Sequence, residues 1–134
     1  MTTRKATPKN VQDVYDLISR VDSSMFYKNT EVQTDRIIEE GLSIVAYEKK
    51  EPVGCILVCS GNTIDTIISE KSGVGSKMLQ KLPVGKYYVY IHPDNEASIK
   101  LFKKFGFTHK NDIVLSYGVR SKYAGYIQPK EAKE

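Results

Sequence analysis

Residues 87–107, Tyr87-Tyr88-Val89-Tyr90-Ile91-His92-Pro93-Asp94-Asn95-Glu96-Ala97-Ser98-Ile99-Lys100-Leu101-Phe102-Lys103-Lys104-Phe105-Gly106-Phe107, read as strand, turn, helix and the start of another strand. Tyr87–Ile91 is aromatic and β-branched, the composition a pleated surface favours. Asn95 is placed to cap a helix over Glu96–Phe105, whose Ala97, Leu101 and Phe105 share one face. Gly106 supplies the left-handed residue that ends a helix and releases the chain.

Upstream lies a second unit of the same kind. Thr63–Ser69 (TIDTIIS) is a strand, Glu70–Ser76 a glycine-bearing loop, and Ser76–Leu82 a short helix stopped at Pro83. Before it, Leu42–Glu48 and Val53–Ser60 are strands joined by a Lys49-Lys50-Glu51-Pro52 turn, and Gly61-Asn62 makes the next turn. The N-terminal part opens with a strand at Thr2–Ala6. Val11, Val14, Ile18 and Val21 then recur at helical spacing behind Asn10 as N-cap, and a second helix covers Glu31–Glu40 with Gly41 as its stop. The Asp22–Asn29 connection carries Met25, Phe26 and Tyr27, which either anchor it or line a substrate entrance. A late strand spans Ile113–Val119. The order β-α-α-β-β-β-α-β-α-β predicts an α/β (α+β) fold, a mixed sheet with helices on both faces. Residues 1–127 form one domain and 128–134 a frayed polar tail.

The chain has 134 residues, 40% of them apolar, enough for one packed core and too ordinary in charge for general disorder. No apolar run reaches the length of a membrane span and no signal-peptide pattern opens the chain, so a cytoplasmic location is expected. Cys55 and Cys59 lie on one face of a strand about 13 Å apart, too far to bridge, and read as buried small hydrophobes. Neither His92 nor His109 has partners at metal-ligand spacing, so no metal is expected. The net charge of +4 is unevenly spread: residues 1–67 carry −2 and residues 68–134 carry +6. An anionic partner is therefore sought in the second half. Charge alone supports a nucleic-acid-associated protein, and no recognition motif accompanies it.

Two stretches carry chemistry. In Glu70-Lys71-Ser72-Gly73-Val74-Gly75-Ser76 the glycines allow a tight turn, and the following helix start offers free N–H groups to an anion. An ordinary tight turn explains the same residues. In the Asn95 stretch, capping alone explains the asparagine. Together and in this order, the two stretches resemble the GCN5-related N-acetyltransferase (GNAT) superfamily. The family's acetyl-CoA loop reads Gln/Arg-x-x-Gly-x-Gly/Ala; Gly73 and Gly75 match it, and Glu70 stands at the Gln/Arg position. The family's second motif is matched by Pro93, Asn95, Ser98, Leu101, Phe102, Gly106 and Phe107.

The resemblance implies a mostly antiparallel sheet and acetyl transfer from acetyl-CoA, as acyl-donor co-substrate, to a primary amine of a small molecule or protein. It implies that the strands flanking the loop splay apart around pantetheine. Ile67 and Ile68 would pair with pantetheine, and the amides of Ser72, Gly73, Val74, Gly75, Ser76 and Lys77 would hold the pyrophosphate. Asn95 and Phe102 would border the CoA arm, and Lys71, Lys77 and Lys104 are candidates for the remaining phosphate charge. The tyrosine that serves as general acid in many members is replaced by Phe102, which has no proton to donate. Tyr90, five residues before Asn95, and Asp65 are left as catalytic candidates, with His92 and Tyr117 behind them. Cys55 as an acyl-carrying nucleophile lacks an evident base. Walls of the acceptor groove are sought in the 22–29 loop and in Tyr117, Tyr123 and Tyr126. A catalytically weak GNAT-fold binding or regulatory module is the alternative, and a homodimer the assembly left open.

Overall fold

The computed structural model describes residues 1–21 and 28–128. Its seven strands form one sheet in the order β1-β2-β3-β4-β5-β7-β6, in which only the β4–β5 pair is parallel. The elements are β1 (Thr2–Lys5), α1 (Val11–Arg20), α2 (Glu31–Glu39), β2 (Ile44–Glu48), β3 (Glu51–Cys59), β4 (Thr63–Ser69), α3 (Val74–Lys81), β5 (Gly85–Ile91), α4 (Glu96–Lys104), β6 (Thr108–Leu115) and β7 (Gly118–Ile127). The mixed, mostly antiparallel sheet with helices on both faces agrees with the sequence reading. β3 shows why: Ile56 and Val58 enter the core under α3 and α4, while Cys55 and Leu57 enter the one under α1 and α2. A strand buried on both faces reads as a continuous apolar run, as CILV does here.

Four expectations are corrected. The single late strand at Ile113–Val119 is instead a hairpin whose turn falls between Leu115 and Gly118, so that stretch straddles two strands. β7 then runs between β5 and β6 and carries Tyr123 and Tyr126. The β2–β3 turn is confined to Lys49 and Lys50, both at positive φ (51° and 71°), and Glu51 already pairs with Glu48. Asn10 does not cap α1 with its side chain; its Oδ1 accepts from the Thr7 N–H at 2.9 Å and its Nδ2 donates to the Tyr47 hydroxyl at 3.0 Å. Finally, α3 starts at Val74, with Gly73 as its left-handed N-cap (φ 84°). The loop is thus shorter than the glycine spacing suggests.

Two adjacent non-glycine residues at positive φ strain the hairpin, and this geometry favours Asn-Gly. Replacing Lys49-Lys50 by Asn-Gly is expected to stabilise the protein by about 1 kcal/mol, read as a higher urea midpoint at unchanged slope.

Two features position the site. Gly54 lets α3 sit directly on the sheet, since a Cβ there would lie 2.8 Å from both Ile68 O and Val74 Cγ1. Between Leu57 and Val58 the β3–β4 register skips Asp65, which makes it the extra residue of a β-bulge. Bulges bend and twist their strand. β4 and β5 pair only at Thr63–Tyr88 and Ile64–Val89, and beyond that bulge the two strands part.

Candidate active site

The cleft opened by this parting has two connected portions that share Ile67 and Ser98. The outer one, about 460 Å³, is lined by Ile67, Ser69–Gly73, Gly75, Ser76, Ala97, Ser98 and Leu101. The inner one, about 50 Å³, lies among Asp65–Ile67, Val89–His92, Asn95, Ser98 and Phe102. The outer cleft is wide and rich in hydroxyls. Its inner end admits only a few atoms.

At the outer end the first turn of α3 faces the cleft. Gly75 and Ser76 sit where helix geometry leaves N–H groups without an intrahelical acceptor, and the helix dipole makes that end partly positive. Gly73 supplies the left-handed turn, and a Cβ there would meet nothing within 4 Å. Gly75 has a different reason: a Cβ would lie 2.9 Å from Leu101 Cδ2, so this glycine allows α3 to pack closely against α4. An anion at this end meets one carboxylate, Glu70. It is held by Arg20 from α1 in a two-point contact, Nη2–Oε1 at 3.1 Å and Nε–Oε2 at 3.2 Å. Lys71, proposed for phosphate, is instead paired with Glu48, whose carboxyl it holds below the usual range.

At the inner end Asp65 and Tyr90 line the same small space. Asn29, buried just ahead of the Thr30 cap of α2, donates its Nδ2 to Asp65 Oδ2 at 2.7 Å. Thr66 Oγ1 donates to the same oxygen at 2.9 Å. Both contacts fall on Oδ2, so Oδ1 retains its accepting capacity. Asn95 caps α4 with Oδ1, accepting from the Ser98 N–H at 3.2 Å, and keeps its amide NH2 as a donor. His92 Nδ1 accepts from the Asp94 N–H at 3.0 Å, which gives the imidazole a turn-holding role. Phe102 is fully buried and meets Phe107 edge to face at 5.1 Å, forming the floor.

The structure therefore brings Asp65, Ile67, Ser72, Gly73, Gly75, Ser76, Tyr90, Asn95 and Phe102 to one cleft. It places others elsewhere. The side chains of Ile68 and Val74 point away from the cleft, the first buried against α1 and α2 and the second under α3. Only their backbone groups could meet a cofactor, and the Val74 N–H donates to Lys71 O at 3.3 Å. Lys77 and Lys104 are exposed and do not line the cleft, Lys104 lying at the far end of α4 from Asn95. Tyr123 packs into the α3–α4 core, and Tyr117 lies at the β6–β7 turn beneath the Arg120 guanidinium. Met25, Phe26 and Tyr27 lie outside the described residues. Burial pushes the Cys55 thiol up to about 12 and the Cys59 thiol to about 11, aided by Glu70 and Asp65 respectively. Neither is a thiolate nucleophile at neutral pH. The sequence reading missed Arg20 and Asn29. Arg20 was signalled by the unmatched charge of Glu70, whereas nothing local marks Asn29.

No family model matches the sequence, and no curated protein does. Solved structures do. An acetyltransferase of the GNAT family from Bacillus cereus superposes with a TM-score of 0.73 at 16% identity, over 96% of this chain and 98% of that one. Arabidopsis thaliana Naa50, in complex with the bisubstrate analogue CoA-Ac-MVNAL, gives 0.73 at 19% identity over 92% and 97%. The Salmonella typhimurium putative acetyltransferase yncA, solved with acetyl-CoA, gives 0.70 at 13% identity over 100% and 98%. At these identities the likeness is one of fold: the chain has the fold of GNAT acetyltransferases.

Proposed function

We propose that this chain, built on the GNAT fold, transfers the acetyl group of acetyl-CoA to a primary amine by direct attack in the β4–β5 cleft. The observation that carries the reading is the parting of β4 from β5 after Ile64, with a helix N-terminus at one end of the gap and an acid–phenol pair at the other. A long donor with an anionic end and an acyl end suits that layout. The amides of Gly73, Gly75 and Ser76 would hold the pyrophosphate. Backbone groups of β4 beyond Ile64 would pair with pantetheine, and the Asn95 amide would border it. The narrow inner end would admit the thioester and little else.

In the reaction the amine nitrogen attacks the thioester carbonyl carbon, so a C–N bond forms and the C–S bond breaks. The amine proton passes to Asp65 Oδ1, directly or through one water, while Asn29 and Thr66 hold the other oxygen. Phe102 cannot protonate the departing thiolate. Tyr90, whose side chain lines the inner cleft, would give that proton.

Glu70 would repel the donor's phosphates if it stood alone, and Arg20 offsets it. Arg20→Ala is expected to weaken acetyl-CoA binding about three- to tenfold, and adding Glu70→Gln to restore it, measured by titration calorimetry. The reading itself is tested by incubating the chain with acetyl-CoA and a panel of amines while following free thiol. Thiol release that requires an amine, together with a higher melting temperature in acetyl-CoA, supports it. No change in either speaks against it. Acetyl-CoA binding without thiol release favours the binding-module alternative.

A further inference from the structure

We infer that the acceptor is an acidic peptide, its free amine entering the cleft and its carboxylates lying on the β5–β7 face beside it. This rests on the acetyl transfer proposed above. β5 alternates: Tyr87, Val89 and Ile91 are buried under α3 and α4, which turns Lys86, Tyr88 and Tyr90 to the opposite face. On β7, Tyr126, Ala124 and Lys122 stand opposite Lys86, Tyr88 and Tyr90 in register. Lys122 is therefore about 5 Å, Cβ to Cβ, from Tyr90, which lines the inner cleft. α1 and α2 pack over β3, on the other half of the sheet.

The two lysines converge. Lys122 Nζ lies 4.9 Å and Lys86 Nζ 5.6 Å from the centroid of the Tyr88 ring. The ring's quadrupole holds each ammonium weakly, and among the described residues no ion pair offsets their mutual repulsion. Among the described residues the ion pairs are Arg20–Glu70, Lys71–Glu48 and His109–Asp112. An anionic ligand is what this pair lacks. From Tyr90 to Lys86 the face extends about 13 Å along the strand, the reach of about four extended peptide residues. Tyr88 and Tyr126 add flat apolar contact between and beside the charges. The same charges act on the incoming amine: nearby cations favour its neutral, nucleophilic form and disfavour polycationic acceptors.

The test uses the full chain, saturating acetyl-CoA and two pentapeptides with free α-amines. One carries Glu at its second and third positions and the other carries Lys there. The acidic peptide is expected to show a kcat/KM at least about tenfold higher. The K86E/K122E double variant should lose that preference mainly through KM, with K86M/K122M intermediate and the melting temperature still raised by acetyl-CoA. Equal or reversed preference, or a preference that both double variants retain, overturns the inference. So does turnover of neither peptide while acetyl-CoA still binds, or stronger competition by a single-stranded oligonucleotide than by the acidic peptide. Failure of acetyl-CoA to bind overturns instead the reading on which the inference rests.

Discussion

Replacing Gly125 by alanine is expected to lower the melting temperature by about 10 °C. A Cβ at Gly125 would lie 2.4 to 2.8 Å from three atoms of the Phe107 ring. That ring has nowhere to go. It is 2% exposed and stands edge to face on Phe102, which is itself 0% exposed and floors the inner cleft. Overpacking of a closed core costs about 1–3 kcal/mol and sometimes more, and about 3 kcal/mol corresponds to roughly 10 °C in a domain of this size. Differential scanning calorimetry measures it. Because the displaced ring bears on Phe102, acetyl-CoA affinity should fall in the same variant. Gly54→Ala tests the same logic where the obstruction is backbone, at Ile68 O.

Asp65→Asn is expected to lower kcat/KM for the amine about 100-fold while leaving acetyl-CoA affinity within about twofold. The amide can still accept at the oxygen that Asn29 and Thr66 hold, so the fold and the cleft persist and the lost property is proton acceptance. Raising the pH should recover part of the rate, since more of the amine is then neutral in solution and solvent hydroxide can take the proton that Asp65 no longer accepts. A variant that loses activity equally at every pH, or that loses acetyl-CoA binding, would place Asp65 in a structural role. Asn29→Ala should reproduce a weaker form of the same pH-dependent defect, because it frees the carboxylate without removing it.

The strength of the sequence reading followed the range of the signals it used. Thr63–Ser69 is bounded by turn residues on both sides and was legible to the residue. Gly41 and Gly106 ended their helices as expected, at φ 86° each. The β6–β7 hairpin was not legible, because β6 is exposed over residues 108–112 and shows no apolar alternation. Its turn, at Ser116 and Tyr117, also lacks an Asn-Gly signal. The start of α3 was read two residues late, since Gly75 looks like loop in sequence. It is a helical residue kept small by Leu101, 26 residues further along in α4. In the site, the glycine loop and Asn95 were legible because their chemistry is local. The Arg20–Glu70 contact spans 50 residues and the Asn29–Asp65 contact 36, and pairings at that separation are set by topology. Of the lysine candidates, Lys71 lines the outer cleft while paired with Glu48, and Lys77 and Lys104 stand exposed away from it; charge composition located the basic half but not which ammonium groups reach the cleft.

The most direct test of the account is an amide 1H–15N titration of the full chain with acetyl-CoA. It predicts saturable shifts concentrated on Ser72, Gly73, Gly75 and Ser76 at one end of the cleft. A second group should appear on Asp65, Thr66 and Ile67 at the other, with β6 and the β2–β3 turn unmoved. Shifts confined to other faces of the sheet, or none at saturating acetyl-CoA, would contradict it.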